Sequence, residues 1–207
     1  MILSKFKKNG KNNKEKFPKG EIYFISGISG AGKTTIGKKL AEMFNCVFMD
    51  QDLYYRIYKP TTVLSSGERV INYDNEGIMD WDKMNLAIES QLEYSNVVLV
   101  GYALWKEKLK FSPKVHFLLI RDILNENNQH NLENLVKFCY EDRQKSSRFR
   151  GKDNEMMMVK ELVVPFYFKT LSKIGPAVVI NTMYSDGENN YRLSVDQVLE
   201  LMRDYIK

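Results

Sequence analysis

Short apolar runs alternate along this chain with stretches whose apolar residues recur at helical spacing. EIYFIS (21–26) is an apolar run bounded by glycine, the pattern of a buried strand. From Thr34, apolar Ile36, Leu40, Met43 and Phe44 mark one face of a helix. CVFMD (46–50), NVVLV (96–100), VHFLLI (115–120) and AVVIN (177–181) repeat the strand pattern. Residues 53–79, punctuated by Pro60, Gly67 and Gly77, read as irregular. Asp80 is placed to cap a helix running to about Tyr94. A further helix is expected over 154–173, in which Met156, Met157 and Met158 read as packing. A closing helix is expected over 194–206, with Ser194 and Gln197 at capping-box spacing. Buried strands alternating with helices predict an α/β fold with a parallel sheet covered on both faces.

Composition narrows the classes. With 207 residues the chain suits one core, and 43% hydrophobic with 28% charged residues is globular composition. No run of eighteen apolar residues predicts a membrane span. The net charge of +5 suggests a nucleic-acid partner until it is located. Residues 1–20 hold seven lysines and one acid, so that segment carries +6 and residues 21–207 carry −1. The arm reads as disordered and solvated, the rest as one domain, and nucleic acid is not the expected partner. Two cysteines, Cys46 and Cys139, form no metal spacing and suit a reducing, cytoplasmic setting. His116 lies in a strand pattern and His130 in a polar loop, neither with a catalytic partner.

One motif carries chemistry. Gly27-Ile28-Ser29-Gly30-Ala31-Gly32-Lys33-Thr34 satisfies G-x-x-x-x-G-K-[ST] between an expected strand and an expected helix. Such a loop turns backbone N–H groups and a helix N-terminus toward phosphate oxygens, so Gly27, Ser29, Gly30, Ala31, Gly32, Lys33, Thr34 and Thr35 are the candidate ATP-binding residues. Lys33 would reach the β- and γ-phosphates, and the Thr34 hydroxyl would be a Mg²⁺ ligand. No GTPase-type D-x-x-G or N-K-x-D motif and no D-E pair after a strand accompanies it. The next acidic cluster, Asp50-Gln51-Asp52, ends a strand, where ligands of open α/β sheets bind. Asp52 is the candidate acceptor of a substrate hydroxyl proton, and Asp50 a candidate metal-side carboxylate.

Residues 21–185 resemble the uridine kinase and nicotinamide riboside kinase group of P-loop phosphotransferases. ISGISGAGKTTIGKKL resembles the opening strand and phosphate loop, and NCVFMDQDLYYR the second strand with its base and aromatics. NYDNEGIMDWDKM resembles the substrate segment, with Asp74 on the ribose-binding aspartate; DRQKSSRFRG resembles the basic lid, and LVVPFY the helix after it. The resemblance implies a three-layer P-loop fold, a five-stranded parallel sheet of order 2-3-1-4-5 and a lid near 143–153. It also implies ATP-dependent, Mg²⁺-assisted phosphorylation of the 5′-hydroxyl of a nucleoside or riboside. Asp52, Lys33, Arg143 and Arg148 are then the catalytic candidates, and Asp52, Tyr55, Tyr73, Asp74 and Lys145 bind substrate. Thr34 and Asp50 face the metal, and Arg150 is a further lid cation. Val100 departs from the pattern, standing where the family usually has a glutamate near Mg²⁺. Two alternatives stay open: a kinase of another small alcohol, such as a sugar acid or pantothenate, and a nucleotide-binding relative without catalysis.

Overall fold

The computed structural model describes residues 20–121, 132–145, 152–185 and 190–206. The arm, most of the basic lid and Arg148, Arg150 and His130 lie outside them. In chain order the elements are β1 (Ile22–Gly27), α1 (Lys33–Met43) and β2 (Val47–Asp50), followed by a 3₁₀ turn (Gln51–Tyr54). Next come β3 (Thr61–Val63), β4 (Arg69–Ile71), a second 3₁₀ turn (Glu76–Ile78), α2 (Trp81–Leu92), β5 (Val97–Gly101) and β6 (Val115–Ile120). The remainder comprises α3 (Leu132–Gln144), α4 (Lys152–Met158), a π-turn (Val159–Val163), α5 (Val164–Leu171), β7 (Val178–Asn181), β8 (Met183–Ser185), β9 (Asn190–Arg192) and α6 (Val195–Arg203).

Among the described residues, β2-β5-β1-β6-β7 form a five-stranded sheet in which every pairing is parallel. In chain order these are its second, third, first, fourth and fifth strands, so the α/β fold and the implied order both hold. Successive side chains of β1 divide between two cores, as strand geometry requires. Tyr23 and Ile25 join Ile36 and Leu40 of α1, Leu135 of α3, Val164 of α5 and Val198 of α6. Ile22 and Phe24 join Met84, Ile88 and Leu92 of α2. The expected caps form: Asp80 accepts from the Lys83 N–H, and Ser194 with Gln197 makes a reciprocal capping box.

Three features depart from the sequence reading. Residues 53–79 are not wholly irregular, because Thr61–Val63 and Arg69–Ile71 pair as an antiparallel hairpin. Leu64, Val70 and Met158 pack that hairpin onto α4, and the Ser65 N–H donates to Glu161 at 3.1 Å. The helix expected over 154–173 forms, but Val159–Val163 within it is a π-helical turn. Pro165 accounts for the wider turn: without an N–H it cannot bond the carbonyl four residues back, and its ring crowds that turn. On α1, Met43 points outward with 46% exposure, while Gly37 is buried because a Cβ there would meet Val100 Cγ1 at 2.3 Å.

Candidate active site

The carboxyl ends of β1, β2 and β5 open into a cleft of about 860 Å³. On its nucleotide side the loop after β1 turns through left-handed glycines, with φ of 80° at Gly30 and 89° at Gly32. Side chains are doubly excluded at Gly30, where a Cβ would lie 1.8 Å from Asp142 Oδ2. Ser29, Gly30, Gly32, Lys33, Thr34 and Thr35 line the cleft. Of the other two candidate loop residues, Ala31 has its side chain fully buried in the core and Gly27 lies against the Leu119 carbonyl.

Lys33 Nζ donates to the Ile28 carbonyl at 2.9 Å and stands 5.8 Å from the centre of the Tyr102 ring. Burial lowers its pKa, opposed by the charges of Asp52, Asp50 and Asp74. The Thr34 hydroxyl lies 3.4 Å from Asp50 Oδ2. Asp50 Oδ1 accepts from the Asp52 N–H at 3.0 Å, capping the turn that carries Asp52. Burial raises the Asp50 pKa, and the Asp52 charge adds to that; its hydrogen bonds and Lys33 act against it. Asp50 pairs across the sheet with Val100. A hydroxyl and a carboxylate oxygen side by side suit Mg²⁺, which takes few protein ligands and completes its shell with phosphate and water. The residues present therefore fit that ion.

Asp52, Tyr55, Tyr73 and Asp74 also line the cleft. Tyr55 OH donates to Asp52 Oδ1 at 2.6 Å, and the Tyr55 and Tyr73 rings lie 5.4 Å apart. Burial raises the Asp74 pKa to about 6, with Arg143 and Lys33 pulling it down and Asp52 pushing it up. This carboxyl thus holds its proton more tightly folded than unfolded. The associated stability is present at acid pH and lost as pH rises from about 4 to above 6. Asp74→Asn, which cannot charge, is expected to raise Tm over the wild type more at pH 8 than at pH 4. Thermal unfolding at the two pH values checks this, and an equal shift at both contradicts it.

Several expected and unexpected groups complete the walls. Arg143 lines the cleft with its Nε bonded to Glu155 Oε1. Lys145 does not join it: the side chain is exposed just beyond α3 and is not among the cleft residues. Sequence reasoning missed Tyr102, Asp142, Glu155 and Arg192, all of which line the cleft. Arg192 arrives from β9 and donates to the Gly30 carbonyl at 3.0 Å, adding a cation beside the phosphate loop. Asp142 pairs with Arg121, so its carboxylate is neutralised beside Gly30. Tyr102 donates through its hydroxyl to the Val163 carbonyl at the π-turn. No motif spacing links these residues to the loop, and only the fold brings them together. Gln51 is buried and clamps the segment after β5, with bonds of 3.0 Å to both the N–H and the carbonyl of Ala103. His116 is a core residue, bonded at 2.7 Å to Ser26 Oγ.

Known proteins share these features in part. A shikimate kinase family model matches residues 29–62, the stretch from the phosphate loop through Asp52. Cytidylate kinase of Mycoplasmopsis pulmonis is 29% identical over 186 residues, covering 87% of this chain and 76% of that protein. The thermosensitive gluconokinase of Escherichia coli K12 is 29% identical over 105 residues, 48% of this chain and 54% of the gluconokinase. A sugar kinase structure from Janibacter sp. HTCC2649 superposes with a TM-score of 0.52 at 15% identity, covering 90% of this chain and 94% of the other. That superposition supports the α/β fold. The sequence likenesses support a small-molecule kinase of the P-loop type, and they name acceptors of two kinds. No helix among the described residues is long and apolar enough to cross a membrane.

Proposed function

We propose that the chain transfers the γ-phosphate of ATP to the 5′-hydroxyl of a nucleoside or riboside. One observation carries this reading: Asp52 and Asp74 share the cleft with Lys33 and the phosphate loop, beside the paired rings of Tyr55 and Tyr73. Two carboxylates suit a neutral polyol, whose hydroxyls donate to them, and aromatic rings suit a planar base. The loop N–H groups and Lys33 hold the triphosphate, and Arg192 adds positive charge beside the loop. Mg²⁺, held by Thr34 with Asp50 behind it, neutralises phosphate charge when bound. Asp52 Oδ1 is engaged by Tyr55, which leaves Oδ2 to take the proton of the attacking hydroxyl. Asp74 accepts from the ribose hydroxyls and so fixes the sugar against Asp52. Arg143, bonded to Glu155, is the nearby cation of the acceptor wall and its charge acts on Asp74, and the catalytic assignment of Arg148 goes with the lid.

A second reading, phosphorylation of a sugar acid, draws on the gluconokinase likeness. It requires cations for the substrate carboxylate, and the acceptor wall presents Asp52 and Asp74 with one cation, Arg143, that is already bonded to Glu155. A phosphotransfer screen of uridine, cytidine, nicotinamide riboside, cytidylate, gluconate and pantothenate with γ-labelled ATP tests the choice. Turnover of at least one riboside at the highest kcat/KM is the expected result. Turnover confined to gluconate, cytidylate or pantothenate overturns the riboside reading. Calorimetric ATP binding with no acceptor phosphorylated favours the non-catalytic relative that Val100 suggested.

A further inference from the structure

This inference rests on the riboside reading and deepens it. Glu155 lines the cleft and takes no part in the phosphate transfer proposed above. It lies on α4, is only 1% exposed, and still lines the cleft with Met158 and Arg143. Its Oε1 accepts from Arg143 Nε. Its Oε2 is buried without a hydrogen-bond partner. Buried carboxylate oxygens in folded proteins are almost always bonded, and one left bare at a cleft wall asks for a ligand donor. Arg143 neutralises the charge, so what remains is unused acceptor capacity rather than an unpaired ion. The position matters as much as the chemistry. The Arg143 charge acts on Asp74, and Asp74, Arg143 and Glu155 line the same cleft as Tyr55 and Tyr73. A riboside with its 5′-hydroxyl at Asp52 and its ribose diol at Asp74 therefore holds its ring in a cleft whose wall includes Glu155.

We propose that Glu155 Oε2 accepts a hydrogen bond from an N–H on the ring of the acceptor, and thereby selects ribosides that carry an imide, amine or carboxamide N–H. The residue acts in specificity, not in the chemical step. A site built around such a bond rejects an analogue without the donor, because the carboxylate oxygen is then buried unpaired.

Matched pairs of acceptors test this: uridine against 3-methyluridine, cytidine against N4,N4-dimethylcytidine, and nicotinamide riboside against its N,N-dimethylcarboxamide. For the riboside the wild type uses best, kcat/KM is expected to exceed that of its methylated partner by about tenfold to a hundredfold. Glu155→Gln keeps the volume but reverses the polarity. Its amide oxygen goes to the Arg143 donor, and its NH₂ then faces the ring, so the preference collapses toward unity. A purely steric or structural role predicts otherwise: both members of a pair fall together in Glu155→Gln and their ratio persists, which overturns the proposal. If Glu155→Gln does not fold, the wild-type ratio decides alone, and a value under about threefold overturns it. Failure of the underlying reading looks different, since no riboside in the panel, methylated or not, is then phosphorylated by the wild type.

Discussion

Asp52→Asn is expected to lower kcat by about 10²–10⁴-fold, the range that a positioned general base contributes. The substitution is nearly isosteric, and its side-chain carbonyl can still accept from Tyr55 OH, which Asp52 does at 2.6 Å. The turn itself is capped by Asp50, not Asp52, so Gln51–Tyr54 is expected to keep its shape. On the proposed reading Asp52 meets the acceptor and not the nucleotide, so calorimetric ATP affinity is expected to stay within a few-fold of the wild type. The loss then falls on kcat with the nucleotide still bound. A variant within tenfold of wild-type kcat would mean that Asp52 serves only the turn. The proton would then leave by another route, with Asp74 as the remaining carboxylate facing the acceptor.

How much of this site was readable beforehand depends on how local each signal is. The phosphate loop was legible because its function needs contiguous residues: glycines at left-handed positions, a lysine and a hydroxyl at the start of one helix. Asp50 and Asp52 were legible because strand ends in a parallel sheet converge on the ligand crevice. The sheet followed from apolar runs buried on both faces, and its order from the family resemblance. The rest was not local. Arg192 reaches Gly30 across 162 residues, and Asp142 fills the space beside the same glycine from α3. Neither has a spacing that a linear reading can detect. Glu155 has no such spacing either, and it is buried on α4, where the hairpin Thr61–Ile71 packs against Met158; the hairpin and the π-turn arise from residues read as irregular or plainly helical. Lys145 went the other way: a charge in a basic cluster, placed in the site by analogy, it sits exposed beyond the end of α3. The surroundings of Val100 are likewise clearer in three dimensions, because Asp50 is its direct neighbour across the sheet.

Lys33→Met carries the other large effect. On the proposed reading its ammonium is the cation that the loop supplies to the transferring phosphoryl group, and removing one such preorganised donor typically costs about 10²–10³-fold in kcat. A loss at least that large in kcat/KM is expected here, together with weaker ATP binding, because Lys33 meets the phosphates in ground and transition states alike. Stability separates this from simple damage. Burial works against the charged lysine, so methionine of similar length removes a desolvation cost along with the charge. The same charge also holds down the pKa values of Asp50 and Asp74. Without it both carboxyls bind protons more tightly in the folded state, and stability falls more steeply as pH rises through the window in which they ionise. Tm of Lys33→Met relative to wild type is therefore expected to be highest near pH 5 and to decline toward pH 8. Differential scanning calorimetry across that range reads it. A Tm difference that does not change with pH would show that Lys33 and the acids opposite are not coupled, and the cleft would then lack the charge opposition on which phosphate transfer to a neutral alcohol depends.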